Sequence, residues 1–151
     1  MQKIQFCATL LACLALIKGA DACTGITLKA TDNSVVTART MDWSGAATNN
    51  MYVIVPRGHT QQSLLPNGKT DGLEFTALYG YVGMAVEQPE FVVDGTNEAG
   101  LSAALFYFPQ YGEYEPYNEN DKDISLADFQ VVSWILSRFA TIDQVKAAIN
   151  D

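Results

Sequence analysis

Two hydrophobic periods follow one another along this chain and do not mix. From Thr24 to Phe108, apolar residues come in short runs that alternate or are rich in aromatic and β-branched types. From Leu126 onward they recur at helical spacing. Strands first and helices last point to an α+β layered domain. Thr24–Thr31 places Ile26 and Leu28 on one face, and Asp32-Asn33 is turn chemistry. Ser34–Trp43 alternates Val36, Ala38, Thr40 and Asp42 against Val35, Thr37, Arg39, Met41 and Trp43, so the two segments predict a β-hairpin. Strand periodicity sets Arg39 and Asp42 on opposite faces unless the strand ends or bulges at Met41. If both serve one site, an irregularity is expected there.

Further strands are expected at Met51–Val55, Phe75–Met84, Phe91–Asp94 and Leu101–Phe108, the last two joined by a loop over 95–100. His59–Gly72 reads as loop with a turn at Pro66-Asn67-Gly68, and Pro109–Asp123 as an acidic, Tyr-rich loop or lid. Ser125-Leu126-Ala127-Asp128 resembles a capping box opening a helix whose stripe is Leu126, Phe129, Val132, Ile135, Leu136 and Phe139. Thr141-Ile142-Asp143-Gln144 opens a second helix.

The first 22 residues have a different pattern. Lys3 gives a positive start, Ile4–Ile17 is apolar apart from Gln5 and Thr9, and Ala20-Asp21-Ala22 is an A-x-A cleavage pattern. This is the layout of an export signal, with a run too short for a transmembrane helix. Cleavage after Ala22 makes Cys23 the first residue of a domain covering 23–151, exported to a periplasmic or extracellular space. A second processing stays open, because Leu10-Leu11-Ala12-Cys13 is similar to a lipoprotein cleavage box, and a cut there leaves Cys23 internal.

The chain has three cysteines, and Cys7 and Cys13 lie in the signal. Cys23 therefore has no intramolecular partner in the exported domain, which directs attention to a reactive thiol. As an N-terminus it also carries an α-amine of pKa about 7.7–8.0, able to act as a base near neutrality. A nucleophile activated by its own amine is an established arrangement. Arg39 and Asp42 are the charged residues that a folded-back hairpin brings toward it, the guanidinium favouring thiolate and the carboxylate orienting the amine.

The net charge of −8 becomes one unit more negative without Lys3, Lys18 and Asp21, which argues against nucleic acid or an anionic membrane as a partner. His59 is the only histidine, too few ligands remain for a zinc site, and no nucleotide-binding or GxSxG pattern occurs. Neither metal nor cofactor is expected.

Cys23-Thr24-Gly25, followed by Ala38-Arg39-Thr40-Met41-Asp42-Trp43, resembles the N-terminus of the choloylglycine hydrolase family, which includes conjugated bile salt hydrolases and penicillin V acylases. Asp94-Gly95-Thr96-Asn97-Glu98-Ala99-Gly100-Leu101 is similar to that family's Asn-Glu-x-Gly-Leu hairpin, and Phe108-Pro109 to the Phe-Pro that follows it. The resemblance implies an N-terminal-nucleophile hydrolase with an αββα sandwich, Cys23 as nucleophile, and Arg39 and Asp42 in support. It implies an oxyanion-hole contribution from the Tyr107 backbone. Tyr107 falls where bile salt hydrolases typically carry Asn and penicillin V acylases Tyr. The substrate class implied is a small N-acyl amide, a conjugated bile salt or a penicillin V-like compound, cleaved through a thioester. The assembly is left open, a homo-oligomer included. Family members are about twice this length, so the chain reads as the N-terminal half of such a hydrolase. Two functions stay open on that reading, an amidohydrolase or an inactive secreted fragment.

Overall fold

The structure, a computed structural model, describes residues 23–42, 48–107 and 112–150. The expected export signal, Trp43, the Phe108-Pro109 pair and the opening of the acidic loop lie outside the described residues. The chain divides into two compact units, residues 1–45 and 46–151.

In the first unit, β1 (Gly25–Lys29) pairs antiparallel with β2 (Val35–Arg39), Gly25 opposite Arg39 and Lys29 opposite Val35. This is the expected hairpin. The Ala30 N–H donates to Ser34 O at 2.9 Å, and Asn33 closes the turn at φ 68°, a left-handed conformation that Asn tolerates. Asp32 accepts from the Ser34 hydroxyl at 2.7 Å and its N–H at 3.0 Å, and these bonds hold its carboxyl below the usual carboxylate range. Leu28 and Val36 remain 62% and 61% exposed. Within its own unit the hairpin is held by its ladder and turn.

The second unit contains β3 (Asn50–Val55), β4 (Thr60–Gln62), β5 (Glu74–Thr76), β6 (Tyr81–Val86), β7 (Val92–Asn97) and β8 (Ser102–Ala104). Helices α1 (Val131–Arg138) and α2 (Ile142–Asn150) follow. Strands pair antiparallel in the order β3-β6-β7-β8, and β4 pairs with β5 in a separate ribbon. Strands before helices give the α+β class. No helix among the described residues is long and apolar enough to cross a membrane.

One face of the four-stranded sheet carries α1. Val55, Tyr81, Ala85 and Val92 meet Val132 and Leu136 in the core, with Met51, Val53, Ala103 and Leu105 packed around them. Gly83 and Gly95 face each other across β6 and β7, and a Cβ on Gly95 would lie 2.8 Å from the Leu136 side chain, so the helix approaches the sheet where a side chain is missing. The opposite face of the sheet is apolar too: Tyr52 and Ile54 are 92% and 81% exposed.

Several expected boundaries move. The run Phe75–Met84 is not one strand. It is interrupted over 77–80, where the N–H groups of Leu78 and Tyr79 donate to Ser137 O at the end of α1 instead of to a neighbouring strand. The expected loop His59–Gly72 contains β4, whose Thr-Gln-Gln sequence lacks strand character and which is set by pairing with β5. Its Asn67-Gly68 turn is present, with Gly68 at φ 81°. Strand β7 runs to Asn97, into what was expected to be loop, and β8 ends at Ala104 rather than Phe108. The acidic segment forms a 3-10 turn at Glu119–Ile124.

The capping box at Ser125 does not form. The Ser125 hydroxyl donates to Asp121 O, and a 3-10 turn over Asp128–Gln130 leads into α1. The Ala127 N–H is met by the Ser63 hydroxyl at 2.8 Å. The second capping box does form: Thr141 Oγ1 accepts from the Gln144 N–H at 3.3 Å, and Gln144 Oε1 accepts from the Ala140 and Thr141 N–H groups at 2.8 and 3.2 Å.

Candidate active site

Cys23, Arg39 and Asp42 lie together at the open end of the β1–β2 hairpin. Strand pairing reaches one step past β1, where the Thr40 N–H donates to Thr24 O at 2.8 Å. In a continued ladder the Thr24 N–H would return a bond to Thr40 O. It donates to Thr40 Oγ1 instead, at 3.1 Å, while Thr40 O accepts from Arg39 Nε at 3.2 Å. A threonine hydroxyl that competes with its own carbonyl ends the strand. The irregularity expected near Met41 is therefore present, one residue earlier, and β2 stops at Arg39.

Residues 40–42 run on beside the start of the chain's first strand. The half-buried Cys23 thiol lies 3.9 Å from the Asp42 carbonyl oxygen and forms no disulfide. The Asp42 carboxylate accepts from the Thr40 hydroxyl, Oγ1 to Oδ2, at 2.8 Å. Arg39, also half-buried, lies opposite Gly25. A thiol-, a carboxylate- and a guanidinium-bearing residue thereby share the open end of one hairpin. Such a set can present a nucleophile, hold an ammonium group and favour an anion.

Tyr107 belongs to the second unit, three residues past the end of β8, and is 54% exposed. His59 is also in the second unit, where its backbone is tied to Pro56 and Ala77. Among the described residues no group of three or more His, Cys, Asp or Glu side chains is assembled to hold a metal ion.

The Asn97-Glu98 hairpin proves to be an internal clamp. Asn97 is 4% exposed. Its Nδ2 donates to the carbonyls of Leu136 at 3.0 Å and Phe139 at 2.7 Å, which close the C-terminal end of α1. Its Oδ1 accepts from the Ala99 and Leu101 N–H groups at 3.1 and 3.0 Å and shapes the β7–β8 turn. Glu98 accepts from Arg57 Nε and from the Gly80 N–H, and the Arg57 bond comes first in holding its carboxyl below the usual range. The sequence offered these residues as a motif but not their task. For Thr40, its place on the Asp42 face of the alternation is the one signal the sequence holds.

A family model described as linear amide C–N hydrolases, choloylglycine hydrolase family, matches residues 23–151. A bile salt hydrolase/transferase of Clostridium perfringens is 28% identical over 132 residues, which is 85% of this chain and 38% of that protein. A bile salt hydrolase/transferase of Lactiplantibacillus plantarum is 30% identical over 130 residues, 85% of this chain and 37% of that protein. The match thus spans less than two fifths of the length of either relative. No solved structure matches the chain significantly. The matched segment begins at Cys23 and takes in the hairpin site and the Asn97-Glu98 clamp: the chain belongs to the choloylglycine hydrolase family of linear amide C–N hydrolases.

Proposed function

We propose that this chain supplies the nucleophile of an exported cysteine amidohydrolase of the N-terminal-nucleophile class. The observation that carries the reading is that Cys23, Arg39 and Asp42 share one end of a single hairpin, with Thr40 bonded to Arg39 and Asp42 and the thiol 3.9 Å from the Asp42 carbonyl. Removal of residues 1–22 frees the Cys23 α-amine. The thiol proton passes to that amine, and the thiolate attacks the carbonyl of an N-acyl amide. Collapse of the tetrahedral adduct breaks the C–N bond, the departing amine takes the proton from the α-ammonium, and a thioester remains. Water, deprotonated by the amine, attacks the thioester and releases the acid, and the thiol is restored. Asp42 orients the ammonium, and Arg39 favours the anionic states.

The substrate proposed is a small N-acyl amide. Conjugated bile salts are favoured by the two relatives. A penicillin V-like amide is the second reading, favoured by tyrosine at position 107. The test compares release of glycine or taurine from bile conjugates with cleavage of a phenoxyacetyl amide, in the wild-type protein and in Cys23→Ala. Turnover in the wild type that falls by more than about 10³-fold in Cys23→Ala is expected. Retention of turnover by Cys23→Ala would contradict the mechanism.

A further inference from the structure

Thr40 is exposed, yet every polar atom it has is engaged. Its N–H donates to Thr24 O at 2.8 Å, its carbonyl accepts from Arg39 Nε at 3.2 Å, and its hydroxyl stands between two partners. The hydroxyl accepts from the Thr24 N–H at 3.1 Å and donates to Asp42 Oδ2 at 2.8 Å. A hydroxyl has one proton to give. Because the Thr24 N–H can only donate, that proton is directed onto the carboxylate. Thr24 is bonded covalently to Cys23, so a single hydroxyl ties the backbone next to the thiol to the carboxylate.

We propose that Thr40 is a positioning residue for the reaction, fixing the Asp42 carboxylate relative to the N-terminal Cys23 through the relay from Thr24 N–H to Thr40 hydroxyl to Asp42. The inference rests on the reading of Cys23 as an N-terminal nucleophile. With Oδ2 held by Thr40, rotation of the carboxylate is restricted, and in this role Oδ1 is left to meet the Cys23 ammonium. A carboxylate left to rotate would hold the ammonium loosely, and each proton transfer between thiol, amine and leaving group would begin from a poorer geometry. The effect belongs in kcat, since Thr40 touches no substrate in this role.

The decisive variants are Thr40→Val, which replaces the hydroxyl by a methyl group of similar shape, and Thr40→Ser, which keeps the hydroxyl. Both are made in the exported, processed protein, alongside Asp42→Asn and Cys23→Ala. Two readouts are taken, steady-state hydrolysis of an N-acyl amide and the pH dependence of Cys23 alkylation by iodoacetamide, which needs no turnover. Thr40→Val is expected to lower kcat about tenfold with KM within about twofold, as for an interaction expressed in the transition state. The midpoint of its alkylation profile moves upward, because the ammonium is less well placed to stabilise thiolate. Thr40→Ser returns both readouts to within about threefold of wild type, and Thr40→Val adds nothing in an Asp42→Asn background. A wild-type alkylation profile in Thr40→Val would overturn the proposal. So would Thr40→Ser behaving like Thr40→Val, or independent effects of Thr40→Val and Asp42→Asn. Failure of the underlying reading looks different: Cys23→Ala keeps its turnover, while the alkylation profiles still report on Thr40.

Discussion

The β1–β2 hairpin and the sheet–helix unit are stabilised in opposite ways. The second unit buries Val92 and Leu136 completely and closes the end of α1 with Asn97. The hairpin leaves Leu28 and Val36 largely exposed and depends on its ladder, the Asp32–Ser34 turn and the Thr24–Thr40–Asp42 relay. A two-stranded hairpin is marginal in water by itself. The candidate catalytic groups therefore sit where polar bonds decide geometry, and the core lies in the other unit. Side-chain placement at the site should be sensitive to single hydroxyls and carboxylates, and stability to single methyl groups in the core.

The contrast is sharpest in a pair of truncations. Leu136→Ala is expected to cost about 3 kcal/mol in denaturant unfolding, the usual cost of a cavity under a fully buried leucine. Leu28→Thr in the hairpin should change stability by no more than about 0.5 kcal/mol, as for exposed positions in general. Equal losses at the two sites would erase the distinction.

A smaller effect is expected from pH. Arg57 and the Gly80 N–H hold the Glu98 carboxyl below its ordinary value. Its stabilisation is fully present above the unfolded value of about 4.3 and is lost as pH falls through the lower folded value. Melting temperature against pH should therefore fall more steeply on acidification below about 4.3 in the wild type than in Glu98→Gln. Parallel curves would show that the Arg57–Glu98 contact does not couple to folding.

Much of the fold was legible because local and tertiary forces agree there. Alternation from Ile26 to Arg39 set the hairpin, and Thr141 with Gln144 set the start of α2. Where distant residues decide, sequence pattern failed. Thr60-Gln61-Gln62 becomes a strand only because Glu74–Thr76 lies beside it. The break after Thr76 exists because Ser137 O takes two N–H groups from the run. Ser125 lost its capping role to Ser63, from 64 residues away from the Ala127 N–H it serves. At the site, the residue types and spacing of Cys23, Arg39 and Asp42 could be read directly. The place of Thr40 on the Asp42 face could be read as well, but not that its hydroxyl replaces its carbonyl as acceptor for the Thr24 N–H.

The most direct measurement is the intact mass of the protein, expressed with residues 1–22 in place and purified, before and after a thiol-reactive acylating substrate analogue, with the adduct located by peptide mapping. The expected result is a chain that starts at Cys23 and gains one acyl group there. A folded protein that starts elsewhere, or that takes up no adduct at Cys23, would contradict the claim that this hairpin presents an N-terminal nucleophile.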